Sequence, residues 1–209
     1  MKKILVVAAH SDDPIIGMGG TIKRMREAGF EVWVLSICGD RIKGFEEAVR
    51  FLGGNPLNFD FSYSNIDEKV LAENLTDLMK RLNPDIVFTH WIKEILFDHQ
   101  LVSEITLKLA RRKEKEIFAF EIPASSLDFS FDIAVDITEF YEAKKEAIEM
   151  MKGAFQTRVF EEEILPSVIY TSGFRGIQVG CKFAEVFKHF GSRFPLSPYS
   201  RKLFDISRL

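Results

Sequence analysis

The chain has 209 residues, 46% of them apolar and 28% charged, with a formal net charge of −3. That composition is ordinary for a soluble globular protein, and the length suits one large domain built on a five- or six-stranded sheet. The slight acidity leaves no basic footprint for nucleic acid or for an anionic membrane.

Cys38 and Cys181 are too few for a disulfide framework and read as reduced core residues. The apolar run from Ile4 to Ala9 is too short for a signal-peptide core or a bilayer span, and no other segment approaches membrane length. The expectation is a cytoplasmic protein with no membrane insertion. Glutamine occurs only at positions 100, 156 and 178 while Lys and Glu are plentiful, which points to a thermophilic source. Twenty phenylalanines point to aromatic packing at a subunit interface, and hence to a homo-oligomer.

Taken in order, residues 3–9 read as a buried strand and 15–28 as a helix closed at Gly29. Val32 to Ile37 form a second strand, and a helix over 44–52 stops at Gly53-Gly54-Asn55-Pro56. Leu57 to Phe61 reads as a short strand. The spacing of Val70, Leu71, Leu75, Leu78, Met79 and Leu82 predicts a helix over 67–82. Asp85 to His90 is the next strand, followed by a helix over 99–113 and a strand from Ile117 to Phe120. Later, Ile133 to Ile137 reads as a strand, 139–152 as an amphipathic helix, and Ala184 to Phe190 as the end of a last helix. This alternation predicts an α/β fold: a Rossmann-like parallel sheet of five to six strands, with helices on both faces and a C-terminal elaboration, in a single domain over 1–209.

The first strand runs into His10, Ser11, Asp12, Asp13 and Pro14, followed by Gly17, Gly19 and Gly20. Open α/β sheets bind ligands beyond the carboxyl ends of their strands, where these three ionisable side chains fall. The glycines come too late after the strand for a dinucleotide loop, and two carboxylates there would repel a pyrophosphate. A hydrolytic zinc site needs about three His or carboxylate ligands and an open position for water. His10 and Asp13, at i and i+3, are spaced to converge on one ion, with Asp12 free to act on the water. Asp13 before Pro14 is also a good helix start.

The third ligand must come from His90, His99 or His189. His99, in the segment after strand 85–90, belongs to the same sheet edge and ranks first; His90 ranks second. His189, between Phe187 and Phe190, reads as a packed or surface histidine. Asp40 and Arg41, after the second strand, and Trp91, after the fourth, are candidate substrate contacts. Each has an equally simple structural role in a loop salt bridge or in packing.

With these residues assembled, the chain resembles the PIG-L/LmbE-type N-acetylglucosaminyl deacetylases. Ala9-His10-Ser11-Asp12-Asp13 stands where that family reads A-H-P-D-D-E, and Pro84 to His90 followed by Asp98-His99 stands where it reads H-P-D-H. Weaker echoes are Asp136-Ile137-Thr138, Lys144 to Ala147, Gln156, Arg175-Gly176 and Phe183 to Phe187. The resemblance implies that His10, Asp13 and His99 bind Zn2+ and that Asp12 is the catalytic base. It implies removal of an acetyl group from an N-acetyl sugar or conjugate, as the small-molecule partner. Three positions depart from the pattern: Ser11 for proline, Pro14 for glutamate, and Leu96 for the first histidine of H-P-D-H, which steadies the developing oxyanion. Losing one such donor costs about 10²–10³ in rate, and His90 or Arg41 are the candidates to replace it. The alternative reading is a degenerate member that binds metal or sugar without turnover. Two histidines and one carboxylate also match an iron(II) oxygenase site, but nothing else here asks for redox chemistry.

Overall fold

The computed structural model describes residues 2–63, 65–113, 115–124 and 126–190. Its frame is a seven-stranded sheet in the order β3-β2-β1-β4-β5-β7-β6. The first five strands, β1 (Lys3–Ala8), β2 (Glu31–Cys38), β3 (Asn55–Phe61), β4 (Ile86–His90) and β5 (Glu116–Phe120), are mutually parallel. Their crossovers carry α1 (Asp13–Glu27), α2 (Phe45–Phe51), α3 (Glu68–Leu82) and α4 (Phe97–Arg112).

Alternate residues of β1 feed two separate cores. Ile4, Val6 and Ala8 pack with α1, α2 and the later helices on one face. Leu5, Val7 and Ala9 pack with α3 and α4 on the other. A strand buried on both faces must be apolar throughout, which is why the run Ile4 to Ala9 carries no alternation. The expected α/β architecture with helices on both faces therefore holds, with the helix starts shifted by a residue or two.

The sheet departs from the expectation at its far side. Ala184–His189 is not the end of a helix but strand β7, inserted antiparallel between β5 and β6 (Ile133–Asp136). The sheet is therefore mixed and has seven strands rather than five or six. Phe183, Phe187 and Phe190 stand at i, i+4 and i+7, a helical spacing, but the segment is gripped from both sides and its β-forming residues take the extended form. Between these strands lie α5 (Tyr141–Met150), the short α6 (Thr157–Val159), a π turn over Phe160–Ile164 and α7 (Leu165–Val179). Cys38 is buried as expected. Cys181 is not a core residue: it is half-buried in the turn after α7, its Sγ 3.3 Å from the Phe183 carbonyl.

α1 is broken at Met18, where the backbone leaves helical geometry. The break removes helical acceptors from the next amides, and a buried amide needs a partner. Glu185 of β7 supplies it, accepting from Gly20 at 3.0 Å and Thr21 at 2.7 Å. Lys144 of α5, equally buried, balances that carboxylate at 2.7 Å and reaches Ser172 of α7 at 3.3 Å.

The glycines of α1 let this packing close. A Cβ on Gly20 would meet three atoms of Ile137 at 2.8–2.9 Å. Gly20→Ala is expected to cost about 1–3 kcal/mol in urea unfolding, the usual range for overpacking. Gly173→Ala, in α7 with nothing within 4 Å of the added Cβ, is expected to gain about 0.5–1 kcal/mol from helix propensity alone.

Candidate metal centre

The carboxyl ends of β1 and β4 deliver the candidate residues to one place. His10 and Asp12 lie in the turn after β1, Asp13 opens α1, and His99 lies in the first turn of α4. Pro14 sits in that first turn of α1, where its missing N–H costs nothing. Asp13 does not cap its helix. Its Oδ2 turns back to accept the His10 amide at 2.8 Å.

The same oxygen lies 3.6 Å from His10 Nδ1, 3.4 Å from His99 Nε2 and 3.2 Å from His90 Nε2. His99 Nε2 and His10 Nδ1 are 3.2 Å apart. The three donors His10 Nδ1, Asp13 Oδ2 and His99 Nε2 thus form a triangle of 3.2, 3.4 and 3.6 Å edges. An ion held tetrahedrally about 2.0–2.2 Å from each ligand sets its donors roughly 3.3–3.6 Å apart. The triangle has the dimensions of one face of such a site, and the donor set suits a divalent ion of borderline softness.

Overlapping trios of ligand atoms within 4.8 Å also include His10 with Asp98 and His99, Asp13 with His90 and His99, and His10 with Asp12 and Asp13. His90 differs from the others in its surroundings. It is fully buried, stacked on His99 at 4.0 Å, and its Nε2 accepts the Ala9 amide at 2.9 Å. With that lone pair engaged, the neutral ring carries its proton on Nδ1. Burial, followed by the neighbouring His99, holds its pKa down, so it stays uncharged beneath the cluster.

The far nitrogens of the two candidate ligands meet carboxylates that sequence reading did not assign a role. His10 Nε2 is 2.6 Å from Asp98 Oδ2, and His99 Nδ1 is 3.6 Å from the buried Glu94. A carboxylate behind a ligating imidazole fixes its ring and tautomer and raises its basicity. The available signal was positional, since Glu94 and Asp98 precede His99 by five residues and one.

Electrostatics follow from this crowding. Burial opposes charge on His10, but Asp98 and Asp13 outweigh it and push its pKa up to about 9. His99 is likewise raised against its burial by Asp13 and Glu94. Asp13 is driven well below the usual carboxylate range despite its burial, by His99, His90 and His10. Asp12 goes the other way, to about 6, through burial and the adjacent Asp13 charge. Its Oδ1 is buried with no hydrogen-bond partner among the described residues, and its Oδ2 lies 3.8 Å from Arg41 Nη1.

The substrate candidates separate. Arg41 is half exposed beside Asp12, over the Phe155 ring. Asp40 accepts the Tyr63 amide at 2.7 Å and so braces the loop after β3. That loop brings the exposed Tyr63 ring within 6.2 Å of the His10 ring, a neighbour the sequence did not reveal. Trp91 is buried between Phe129 and Phe190, its indole N–H donating to Asp128, and presents no platform to a ligand. His189 packs on Phe118 away from the cluster, and Leu96 is a half-exposed residue at the start of α4.

No family model matches the chain. A stretch of 83 residues is 34% identical to a glucosamine-6-phosphate deaminase-like protein of Bacteroides thetaiotaomicron; it covers 39% of this chain and 12% of that protein, so the chain spans a small part of this curated relative. The fold is shared with solved enzymes over nearly the whole length. The N,N'-diacetylchitobiose deacetylase of Pyrococcus horikoshii aligns with a TM-score of 0.79 and 20% identity, over 95% of this chain and 88% of that one. The 4-carboxy-2-hydroxymuconate hydratase GalB of Pseudomonas putida aligns with a TM-score of 0.81 and 22% identity, over 94% and 99%. The deacetylase fold inferred from the first-loop motif is thus the fold found, and it is one that also carries a hydratase.

Metal uptake is expected to be proton-coupled. Below pH 9 His10 of the metal-free protein is protonated and must release that proton to bind a cation, so apparent zinc affinity should rise about tenfold per pH unit between pH 7 and 9. Competition with a chromophoric chelator measures it. Asp98→Asn, which frees the His10 ring, is expected to weaken zinc binding by about 10–100-fold.

Proposed function

We propose that this protein is a zinc-dependent hydrolase that removes the acetyl group from an N-acetylglucosamine-type sugar or conjugate. The observation that carries the reading is the buried triangle of His10, Asp13 and His99 with the Asp12 carboxylate beside it. The fold shared with a chitobiose deacetylase supports it.

His10, Asp13 and His99 would hold the ion. When bound, zinc supplies Lewis acidity and brings the pKa of a water to about 7. Asp12 is the group placed to take that water's proton: its unpaired Oδ1 has no competing partner, and burial has already raised its basicity. As the amide C–N bond breaks, the same carboxyl returns the proton to the departing nitrogen, releasing acetate and a free amine. His90 serves as a neutral floor that keeps His99 and Asp13 in place.

A hydrolase of this kind needs a donor for the developing oxyanion, and Leu96 offers none. His90 is sealed beneath the cluster, whereas Arg41 stands half exposed beside Asp12. Arg41 is therefore the residue assigned to steady that charge.

Acetate release from a panel of N-acetyl sugars tests the reading. Zinc-loaded Asp12→Asn is expected to keep its metal and lose about two or more orders of magnitude in rate. Arg41→Met is expected to lose about 10²-fold in kcat, the scale of one oxyanion donor. The acid limb of the rate profile is expected at or below pH 6, because Asp12 must be ionised and a bound cation lowers its pKa further. Stoichiometric zinc without turnover on any member of the panel would instead support a non-catalytic binding protein.

A further inference from the structure

The segment between β4 and α4 is apolar where it faces solvent. Ile92, Ile95, Leu96 and Phe97 are all exposed, Phe97 by 73%, and Leu127 of the segment after β5 is exposed by 82%. Soluble proteins leave such clusters uncovered where something binds.

This cluster is built onto the metal centre. Glu94, at its middle, is buried and faces His99 Nδ1, and its backbone carbonyl accepts from Gln100. Ser126 donates to the Glu94 carboxylate, while Trp91 and Lys93 both donate to Asp128. These bonds bind the 126–128 segment to the 91–94 segment and so bring Leu127 to the same rim. Phe97 is joined directly to Asp98, whose carboxylate meets His10. Across the centre, the Tyr63 ring stands 6.2 Å from His10.

We infer that the substrate carries an apolar group beside its amide-bearing sugar, and that Ile95, Phe97 and Leu127 form the seat for that group. The inference rests on the hydrolase reading of the centre. A sugar alone gives these side chains nothing to bury, since the centre itself is lined by His10, Asp12 and Arg41. Charge does not favour an anionic membrane or an acidic partner, because Lys93 is matched by Asp128 and Arg41 by Asp12. Area does not favour a second copy. Five side chains at this exposure present roughly 400–500 Å², against about 800 Å² that each partner of a stable complex buries. It does suit an alkyl or aryl substituent of a small molecule.

The test compares methyl and hexyl N-acetyl-β-glucosaminides as substrates of the zinc-loaded protein, with their binding measured in parallel by calorimetry. Each methylene fully seated on apolar surface tightens binding about fourfold. The hexyl compound is expected to show at least tenfold higher kcat/KM, expressed in KM, and the Phe97→Ser, Leu127→Ser double variant is expected to bring the ratio near one. Equal KM and equal binding of the two compounds by the unmodified protein would overturn the seat while leaving the hydrolase reading intact. Tighter binding of the hexyl compound without acetate release would retain the seat and remove the hydrolase reading. A double variant that changes sedimentation but not the hexyl-to-methyl ratio would make the rim a contact between copies and overturn the proposal.

Discussion

One oxygen organises the centre. Asp13 Oδ2 takes the His10 amide and lies within 3.6 Å of the imidazoles of His10, His90 and His99, so a single carboxylate gathers side chains from β1, β4 and α4. Three imidazoles around one carboxylate explain why Asp13 is held strongly acidic. They also explain why Asp12, one residue away, meets the full repulsion of that charge and becomes the more basic of the pair. Two adjacent aspartates acquire opposite tendencies from their surroundings alone, the condition for dividing ligation from proton transfer.

The scaffold itself says less. Deacetylase and hydratase structures align with this chain equally well, so the reaction cannot be read from the sheet order. It must be argued from the side chains at the ends of β1 and β4 and from what surrounds them. There the chain has its own character. Leu96 and Phe97 turn apolar side chains to solvent next to a deeply charged cluster, with Arg41 beside Asp12.

Much of this was legible in the sequence, for identifiable reasons. β1, β2 and β4 are continuous apolar runs because both faces of the sheet are covered, and His10, Asp12 and Asp13 follow the first run directly. Once the strands were in order, parallel topology alone brought His99 to the same edge. What escaped depended on contacts between distant segments. β7 wears a helical spacing of phenylalanines and becomes a strand only because β5 and β6 flank it. α7 exposes Tyr170, Phe174 and Ile177, so it lacks the one-sided pattern that marks a buried helix. The partnerships of Asp98 with His10 and Glu94 with His99 link segments whose approach no local pattern announces.

The clamp between Glu185 and the broken turn of α1 has a consequence for how the molecule is assembled. The amides of Gly20 and Thr21 wait for a partner 165 and 164 positions downstream, so the turn that begins beside the zinc-type ligands is secured by the final strand of the sheet. Such a long-range closure slows folding, because much chain must be ordered before the contact is gained. During synthesis at the ribosome the ligand residues emerge early, yet the groove they occupy acquires its rigid back wall only when nearly the entire polypeptide has been made.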